Sequence, residues 1–151
     1  NPAMTGTVFD LGGCREGAVR VFEKTKIADR AEFVAGDFFE DALPPHADAY
    51  ALKSILHDWD DERCIAILQA CRTAMRDSSR LLVIELIVPE RPGSSEEDQG
   101  IVQNDLNMLV ATGGRERTEL EYGQLLEAAS LRISRVIPTL APLSVTEALP
   151  A

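Results

Sequence analysis

Residues 49–61 read Ala-Tyr-Ala-Leu-Lys-Ser-Ile-Leu-His-Asp-Trp-Asp-Asp, and they are the most informative part of the sequence. Its first part, 49–56, is a mostly apolar predicted strand that carries a single lysine, Lys53. Its second part crowds His57, an aromatic ring and three carboxylates into the point where the strand gives way to a helix near Asp60. Open α/β sheets bind their ligands beyond the carboxyl ends of their strands. The stretch therefore predicts an α/β fold with a functional site beside His57.

Outward from this stretch, strands and helices alternate along the chain. Strands are predicted over 7–10, 32–36, 80–88, 131–138 and 143–148. Helices are predicted over about 14–26, from Asp60 onward, over 100–111, and from a Thr118–Glu121 capping box through Ala129. Residues 40–47 and 91–99 have loop composition. The apolar run at 80–88 is typical of a strand covered on both faces, as in parallel sheets. One domain accounts for the whole pattern.

Composition and charge exclude several function classes. The chain has 151 residues and a net charge of -10, and no Lys/Arg-rich stripe offsets that charge locally. Such a surface repels nucleic-acid backbones and anionic membranes, so neither is expected as a partner. No apolar run approaches the roughly 20 residues that span a bilayer. Cys64 and Cys71 have the helical spacing of buried, reduced thiols, which favours a cytoplasmic protein.

Four polar residues lie at or just beyond the carboxyl ends of successive predicted strands: Asp10, Asp37, Lys53 and His57. If the strands are parallel, these residues face one crevice. A single Asp in such a place is more often a helix cap or a turn former, but four in register favour a binding site. A carboxylate after a strand suits the two hydroxyls of a ribose. The chain has no G-x-G-x-x-G segment, which disfavours a nicotinamide dehydrogenase.

Three further residues leave alternatives open. Glu85 is a lone carboxylate in an apolar strand and needs a partner, which is either a nearby arginine or His57. Glu116 has the spacing of an ordinary solvated charge. Met108 is either a core residue or a ligand contact. His46, after two prolines, is expected to be exposed to solvent.

Four segments, in this order, resemble the S-adenosylmethionine-dependent small-molecule O-methyltransferases of the caffeate and polyketide type. They are Asp-Arg-Ala-Glu-Phe-Val-Ala-Gly-Asp-Phe-Phe at 29–39, Leu-His-Asp-Trp-Asp-Asp-Glu at 56–62, Leu-Asn-Met-Leu at 106–109 and Gly-Gly-Arg-Glu-Arg-Thr at 113–118. The resemblance covers essentially the whole chain. It implies methyl transfer from S-adenosylmethionine to a hydroxyl group of a small molecule, with a phenol as the default acceptor.

The resemblance implies a cofactor-binding role for five residues. Asp10 matches the carboxylate that holds the cofactor ribose, and Gly36, Asp37 and Phe38 match the loop around the adenine. Lys53 matches a strand-end residue that contacts the cofactor.

The resemblance also implies the reaction machinery. His57 matches the catalytic base, and Glu85 and Glu116 match the two acids that flank and orient it. Asn107 and Met108 match a helix that lines the acceptor pocket. No cluster with metal-ligand spacing is visible in the sequence, so the reaction is expected to be independent of metal.

The resemblance further implies that residues 1–151 are a partial catalytic domain. The expected fold is a Rossmann-like class I methyltransferase sheet with helices on both faces, lacking its first, central strand and ending in an antiparallel strand pair. The family's glycine-rich loop and amino-terminal dimerisation domain are not found, and Gly12 stands where the family usually has proline. The full-length protein is expected to be a homodimer, and the fragment alone is expected to bind the cofactor weakly and be inactive. The alternative is a degenerate, non-catalytic scaffold with this fold.

Overall fold

The computed structural model describes all of residues 1–151 except the side chain of Glu97. The chain forms two compact units, residues 1–45 and residues 46–151. None of the helices in the described part of the chain combines the length and the hydropathy that crossing a bilayer requires.

The first unit is a βαβ arrangement. Strand β1 (Gly6–Asp10) leads through a short 3-10 turn into helix α1 (Arg15–Lys24), and β2 (Ala31–Ala35) follows. The two strands are parallel and in register up to the pair Asp10 and Ala35. The parallel register brings the carboxyl ends of both strands to the same edge of this two-stranded sheet.

The second unit contains a four-stranded mixed sheet. Its elements are β3 (Ala49–Lys53), α2 (Asp61–Ala74), β4 (Arg80–Leu86), α3 (Glu96–Ala111), α4 (Glu119–Ala128), β5 (Leu131–Pro138) and β6 (Leu143–Pro150). The strand order is β3-β4-β6-β5. β3 and β4 are parallel, whereas β6 is antiparallel to both of its neighbours. The α/β class and the closing antiparallel strand pair are as predicted.

Local sequence signals explain how the second unit's helices begin and pack. The side chain of Asp60 accepts a hydrogen bond from the backbone N–H of Arg63 and so caps α2. One face of α2 is buried, and it consists of Cys64, Ile67, Leu68 and Cys71. The burial of the two cysteines is as predicted. The capping box of Thr118 and Glu121 is present at the start of α4, as predicted. These short-range interactions fix where both helices begin.

The structure corrects three element boundaries. The loop predicted over 91–99 is wrong in its second half, because α3 begins at Glu96, four residues before the predicted start. The Ser95 side chain accepts the backbone N–H of Asp98 and caps this helix. The strand predicted over 49–56 ends at Lys53, and the helix predicted over 14–26 occupies Arg15–Lys24.

Candidate active site

His57 lies in a 3-10 turn, Leu56–Asp58, directly after β3. Leu56 is fully buried and anchors the turn, whereas the His57 side chain is 16% exposed. The imidazole is therefore held by the fold and still reaches solvent.

Two carboxylates meet one nitrogen of that imidazole. Nδ1 of His57 lies 3.1 Å from Oε1 of Glu116 and 3.6 Å from Oε2 of Glu85. An ionised carboxylate can only accept a hydrogen bond, so Nδ1 is the donor and Nε2 carries the free lone pair. Nε2 lies 3.7 Å from Oδ1 of Asp58. The arrangement leaves one imidazole nitrogen available as a proton acceptor.

Glu85 positions the backbone of the same turn. Its Oε1 accepts the backbone N–H groups of Ile55 and Leu56, both at 2.9 Å. Burial raises the pKa of Glu85, and these two hydrogen bonds oppose that shift. Among the residues that the structure describes, no arginine lies within ion-pairing distance of Glu85, and its basic neighbour is the imidazole of His57.

Glu116 is buried beside His57, where the family resemblance placed it, and the solvated charge suggested by its spacing alone is wrong. Its side chain has no exposed surface. Its Oε1 accepts a hydrogen bond from Nδ2 of Asn104 at 2.6 Å, and its backbone N–H donates to Oδ1 of Asp105 at 2.8 Å. Burial raises the pKa of Glu116, while the hydrogen bonds from His57 and Asn104 lower it. Spacing along the sequence gave no sign of these contacts.

The segment Gly114–Thr118 packs against the His57 turn. A Cβ atom on Gly114 would lie 2.6 Å from the carbonyl carbon of Asp58 and closer still to the carbonyl oxygen of His57. Only glycine allows so close an approach of two backbone segments. The next residue, Arg115, binds Oδ2 of Asp61 at 3.0 Å and Oε1 of Glu121 at 2.6 Å.

Arg117, in the same segment, is a fully buried arginine that the sequence did not single out. Its guanidinium donates to the carbonyl oxygens of Leu56 at 2.9 Å and Trp59 at 2.8 Å, on either side of His57. It also forms an ion pair with Oδ1 of Asp61 at 2.8 Å. A planar fork with five donors suits this set of acceptors, which a lysine cannot satisfy. Arg117 thus fixes both ends of the His57 turn.

The three titratable groups also form a cluster that sequence spacing did not reveal. One ligand atom each of His57, Glu85 and Glu116 lies within 4.8 Å of the others, which is close enough for a metal ion. However, Oε1 of each glutamate already accepts two hydrogen bonds, and within this cluster the two Oε2 atoms are buried without a hydrogen-bond partner. This bonding pattern favours orientation of the imidazole, and metal independence stays a prediction.

The first unit brings together the residues expected to bind the cofactor's nucleoside. The backbone N–H of Gly36 donates to the carbonyl oxygen of Asp10 at 3.0 Å, so the two strand ends are adjacent. A Cβ atom on Gly36 would collide with the Phe9 ring, so the loop after β2 passes close to β1. Oδ1 of Asp37 accepts the backbone N–H of Phe39, and the rings of Phe38 and Phe39 pack edge to face at 4.8 Å. Asp10 itself is exposed.

The remaining predicted residues lie in the second unit. Lys53 is exposed at the carboxyl end of β3, four residues before His57. On α3, Asn107 is exposed and Met108 is half-buried, so Met108 is not a core residue. His46 is exposed, as predicted.

Comparison with known proteins gives consistent matches. A family model described as an O-methyltransferase domain matches residues 1–132. A mitomycin biosynthesis 6-O-methyltransferase of Streptomyces lavendulae is 42% identical over 137 residues, which cover 91% of this chain and 38% of the relative. The phenazine O-methyltransferase PhzM of Lysobacter antibioticus is 40% identical over 149 residues, which cover 99% of this chain and 42% of the relative.

A solved structure shares the fold. The crystal structure of NcsB1, an O-methyltransferase from neocarzinostatin biosynthesis in complex with S-adenosylmethionine and 2-hydroxy-5-methyl naphthoic acid, matches with a TM-score of 0.85 at 36% identity. The match covers 97% of this chain and 42% of that one. The chain spans about two fifths of the length of the curated relatives described above.

Proposed function

Because the chain belongs to the O-methyltransferase domain family, we propose that it contributes the base and the nucleoside-binding residues of an S-adenosylmethionine-dependent O-methyltransferase. The proposed acceptor is a hydroxyl group of a small molecule, with a phenol as the first choice. The observation that carries the proposal is the contact of His57 Nδ1 with two buried carboxylates, which leaves Nε2 free to accept a proton.

His57 removes the proton from the attacking hydroxyl in this proposal. A phenol has a pKa of about 10 and a histidine side chain in water one of about 6.5, so full proton transfer before attack costs about 5 kcal/mol. Transfer to Nε2 while the oxygen attacks avoids most of that cost. Glu116 and Glu85 hold Nδ1 as the donor and stabilise the positive charge that forms on the ring. The proton therefore moves to a nitrogen whose direction the fold has already set.

The residues of the first unit suit the proposed cofactor. When bound, S-adenosylmethionine supplies a methyl group on a sulfonium sulfur. The exposed carboxylate of Asp10, at the end of β1, can accept hydrogen bonds from ribose hydroxyls. The close approach at Gly36 leaves a side-chain-free backbone beside the Asp37 and Phe38 loop, which suits a flat adenine ring. Lys53 is proposed as a further cofactor contact.

Helix α3 supports the proposed acceptor site. Its apolar side chains Val102, Leu106 and Leu109 are exposed, beside Asn107 and Met108. An apolar surface with an amide group suits an aromatic ring that carries polar substituents. We therefore propose Asn107 and Met108 as acceptor contacts. A homodimer of the full-length protein is also proposed, and sedimentation of that protein tests it.

The non-catalytic scaffold has less support. Glu85 and Glu116 are buried, and one oxygen of each has no hydrogen-bond partner, which lowers the stability of the fold. A protein that served only as a scaffold would gain nothing from this loss of stability. The same arrangement is useful to a catalytic base, because it fixes the tautomer of the imidazole.

A pair of variants tests the proposal. His57→Ala in the full-length protein is expected to reduce methyl transfer to a panel of phenols by about 10²–10⁴-fold, the usual contribution of a general base. His46→Ala, at the other histidine of the chain, is the matched control because His46 is exposed. Transfer is measured with labelled S-adenosylmethionine, and cofactor affinity is measured by calorimetry.

Methyl transfer and cofactor affinity together distinguish a role in proton removal from a role in cofactor binding. Cofactor affinity is expected to be the same in both variants, since His57 is assigned to the acceptor. If His57→Ala keeps turnover within a few-fold of the wild type, the assignment of the base is wrong. If the full-length protein transfers no methyl group to any acceptor but binds the cofactor, the scaffold alternative replaces the enzyme.

A further inference from the structure

Two consecutive residues of α3, Asn104 and Asp105, hold Glu116 from two directions. Nδ2 of Asn104 donates to Oε1 of Glu116 at 2.6 Å, which is the oxygen that also accepts Nδ1 of His57. Oδ1 of Asp105 accepts the backbone N–H of Glu116 at 2.8 Å. Both the backbone and the carboxylate of Glu116 are therefore fixed by one turn of α3.

We propose that Asn104 is a positioning residue, which aligns the Glu116 carboxylate with the imidazole of His57 and thereby links α3 to the base. The inference rests on the proposed function of His57 and adds a residue to it. Asn104 acts through Glu116. The hydrogen bond from Asn104 to Oε1 of Glu116 fixes which carboxylate oxygen faces Nδ1 of His57.

An amide is the group that this position requires. Oε1 of Glu116 is an acceptor, so a donor must face it, and the Nδ2 group of an asparagine donates without adding charge. The surroundings are already acidic, since Glu85 of β4 and Asp105 of α3 also face Glu116, and the hydroxyl of Tyr122 in α4 stays neutral because burial raises its pKa. A carboxylate at position 104 would repel Glu116 and could not donate while ionised. Both hydrogen bonding and charge therefore favour an asparagine at position 104.

The same helix also carries the proposed acceptor contacts. Asn107 and Met108 lie three and four residues after Asn104, and residues at these spacings are neighbours on a helix surface. A molecule that presses on Asn107 and Met108 therefore acts on the turn of α3 that holds Glu116. This arrangement ties the position of the acceptor to the alignment of the base.

Removal of the Asn104 donor has a directional consequence for pH. The hydrogen bond from Asn104 lowers the pKa of Glu116, against the effect of burial. Without it, Glu116 becomes protonated at a higher pH, and a protonated Glu116 accepts the Nδ1–H bond poorly. The acid limb of the rate profile is therefore expected to move to higher pH.

The test compares Asn104→Ala, Asn104→Asp and the control Gln103→Ala in the full-length protein. Gln103 is the exposed neighbour on α3 and contacts none of these groups in the described structure. For each variant, kcat and KM are measured from about pH 5 to 9, the range in which such bases titrate. Denaturant midpoints for the same samples report folding.

The expected result is a kcat about tenfold lower in Asn104→Ala, with an acid limb at higher pH and KM for the cofactor unchanged. Asn104→Asp, which is nearly isosteric, is expected to lose at least as much activity. A packing role predicts the reverse, since the isosteric variant would retain activity. If Asn104→Ala does not fold, Asn104→Asp alone decides between the two roles.

Two different failures are distinguishable. If both Asn104 variants keep the wild-type pH profile and kcat while His57→Ala is inactive, the positioning role is overturned and the base assignment stands. If His57→Ala is itself active, the proposed function fails and the role of Asn104 fails with it.

Discussion

Gly114 is the glycine at which the addition of a methyl group should reduce stability and turnover most. In Gly114→Ala the new Cβ meets backbone atoms, at 2.6 Å from the carbonyl carbon of Asp58 and 2.8 Å from that of His57. Carbon atoms in contact lie about 3.5–4.0 Å apart, so one of the two backbone segments must move by about 1 Å. Because the obstacle is backbone, no side-chain rotation relieves it.

The energetic and functional losses follow from that displacement. Overpacking costs about 1–3 kcal/mol, and Gly114→Ala should lie at the upper end, near 3 kcal/mol, since neither segment has a free direction of movement. A displacement of about 1 Å at a catalytic group reduces turnover by about 100-fold. Gly114→Ala should therefore lose both stability and activity.

The assay uses the single tryptophan of the chain, Trp59, which follows the His57 turn. In the 151-residue chain, its fluorescence in a denaturant titration gives the unfolding midpoint of the second unit, and methyl transfer is measured on the full-length protein that carries the same substitution. Gly113→Ala is the control. Gly113 has a φ of +79° but no atom near its missing Cβ, so that variant should lose only about 1–2 kcal/mol from backbone strain.

A specific outcome would refute this reasoning. If Gly114→Ala unfolds at the wild-type midpoint and keeps turnover within a few-fold, the two segments are not in contact in solution. An equal loss of stability in both variants would show that backbone conformation, and not the close approach, governs this loop.

Two further predictions concern the buried charges of the second unit. Burial raises the pKa of Glu85, so the stability that its protonation contributes is complete below about pH 4.3 and is lost as the pH rises through the folded pKa. Glu85→Gln has no carboxyl group to titrate and so does not lose stability in this way. The difference between its unfolding midpoint and that of the wild type should therefore shift in favour of the variant as the pH rises above about 4.3. A difference that does not depend on pH would contradict the raised pKa of Glu85. Arg117→Met removes the guanidinium donors to the carbonyl oxygens of Leu56 and Trp59 and the ion pair with Asp61, at a cost of about 2–5 kcal/mol in a denaturant titration. Arg117→Lys should recover only part of that loss, and full recovery would show that charge alone is needed.

Short-range signals predicted most of the secondary structure. The stripe of Cys64 and Cys71 and the Thr118–Glu121 capping box depend on residues within two helical turns, and both were confirmed. The start of α3 was missed because its first turn is acidic and follows a loop-like Pro-Gly-Ser segment. The signal was nevertheless present, since Ser95 and Asp98 have the spacing of a helix cap.

The contacts of the site were less accessible to sequence reasoning. His57 stands out locally, and Glu85 stands out as a lone acid in an apolar strand. The spacing of Glu116 suggested a solvated charge, because its contact with His57 spans 59 residues of sequence, and only the family resemblance placed it beside the histidine. Arg117 and Asn104 were not singled out, since an arginine just before a helix and an asparagine in the middle of one are ordinary until their partners are known.

Each of the five positions in the segment Gly114–Thr118 makes a specific contact. In order, these are the His57 turn, the pair Asp61 and Glu121, the imidazole of His57, the carbonyl oxygens around that imidazole, and the first turn of α4. No residue of this segment is therefore without a contact that depends on its exact position in the chain. One inserted or deleted residue would shift all five contacts together, so a change of length in this stretch should disrupt the whole site at once.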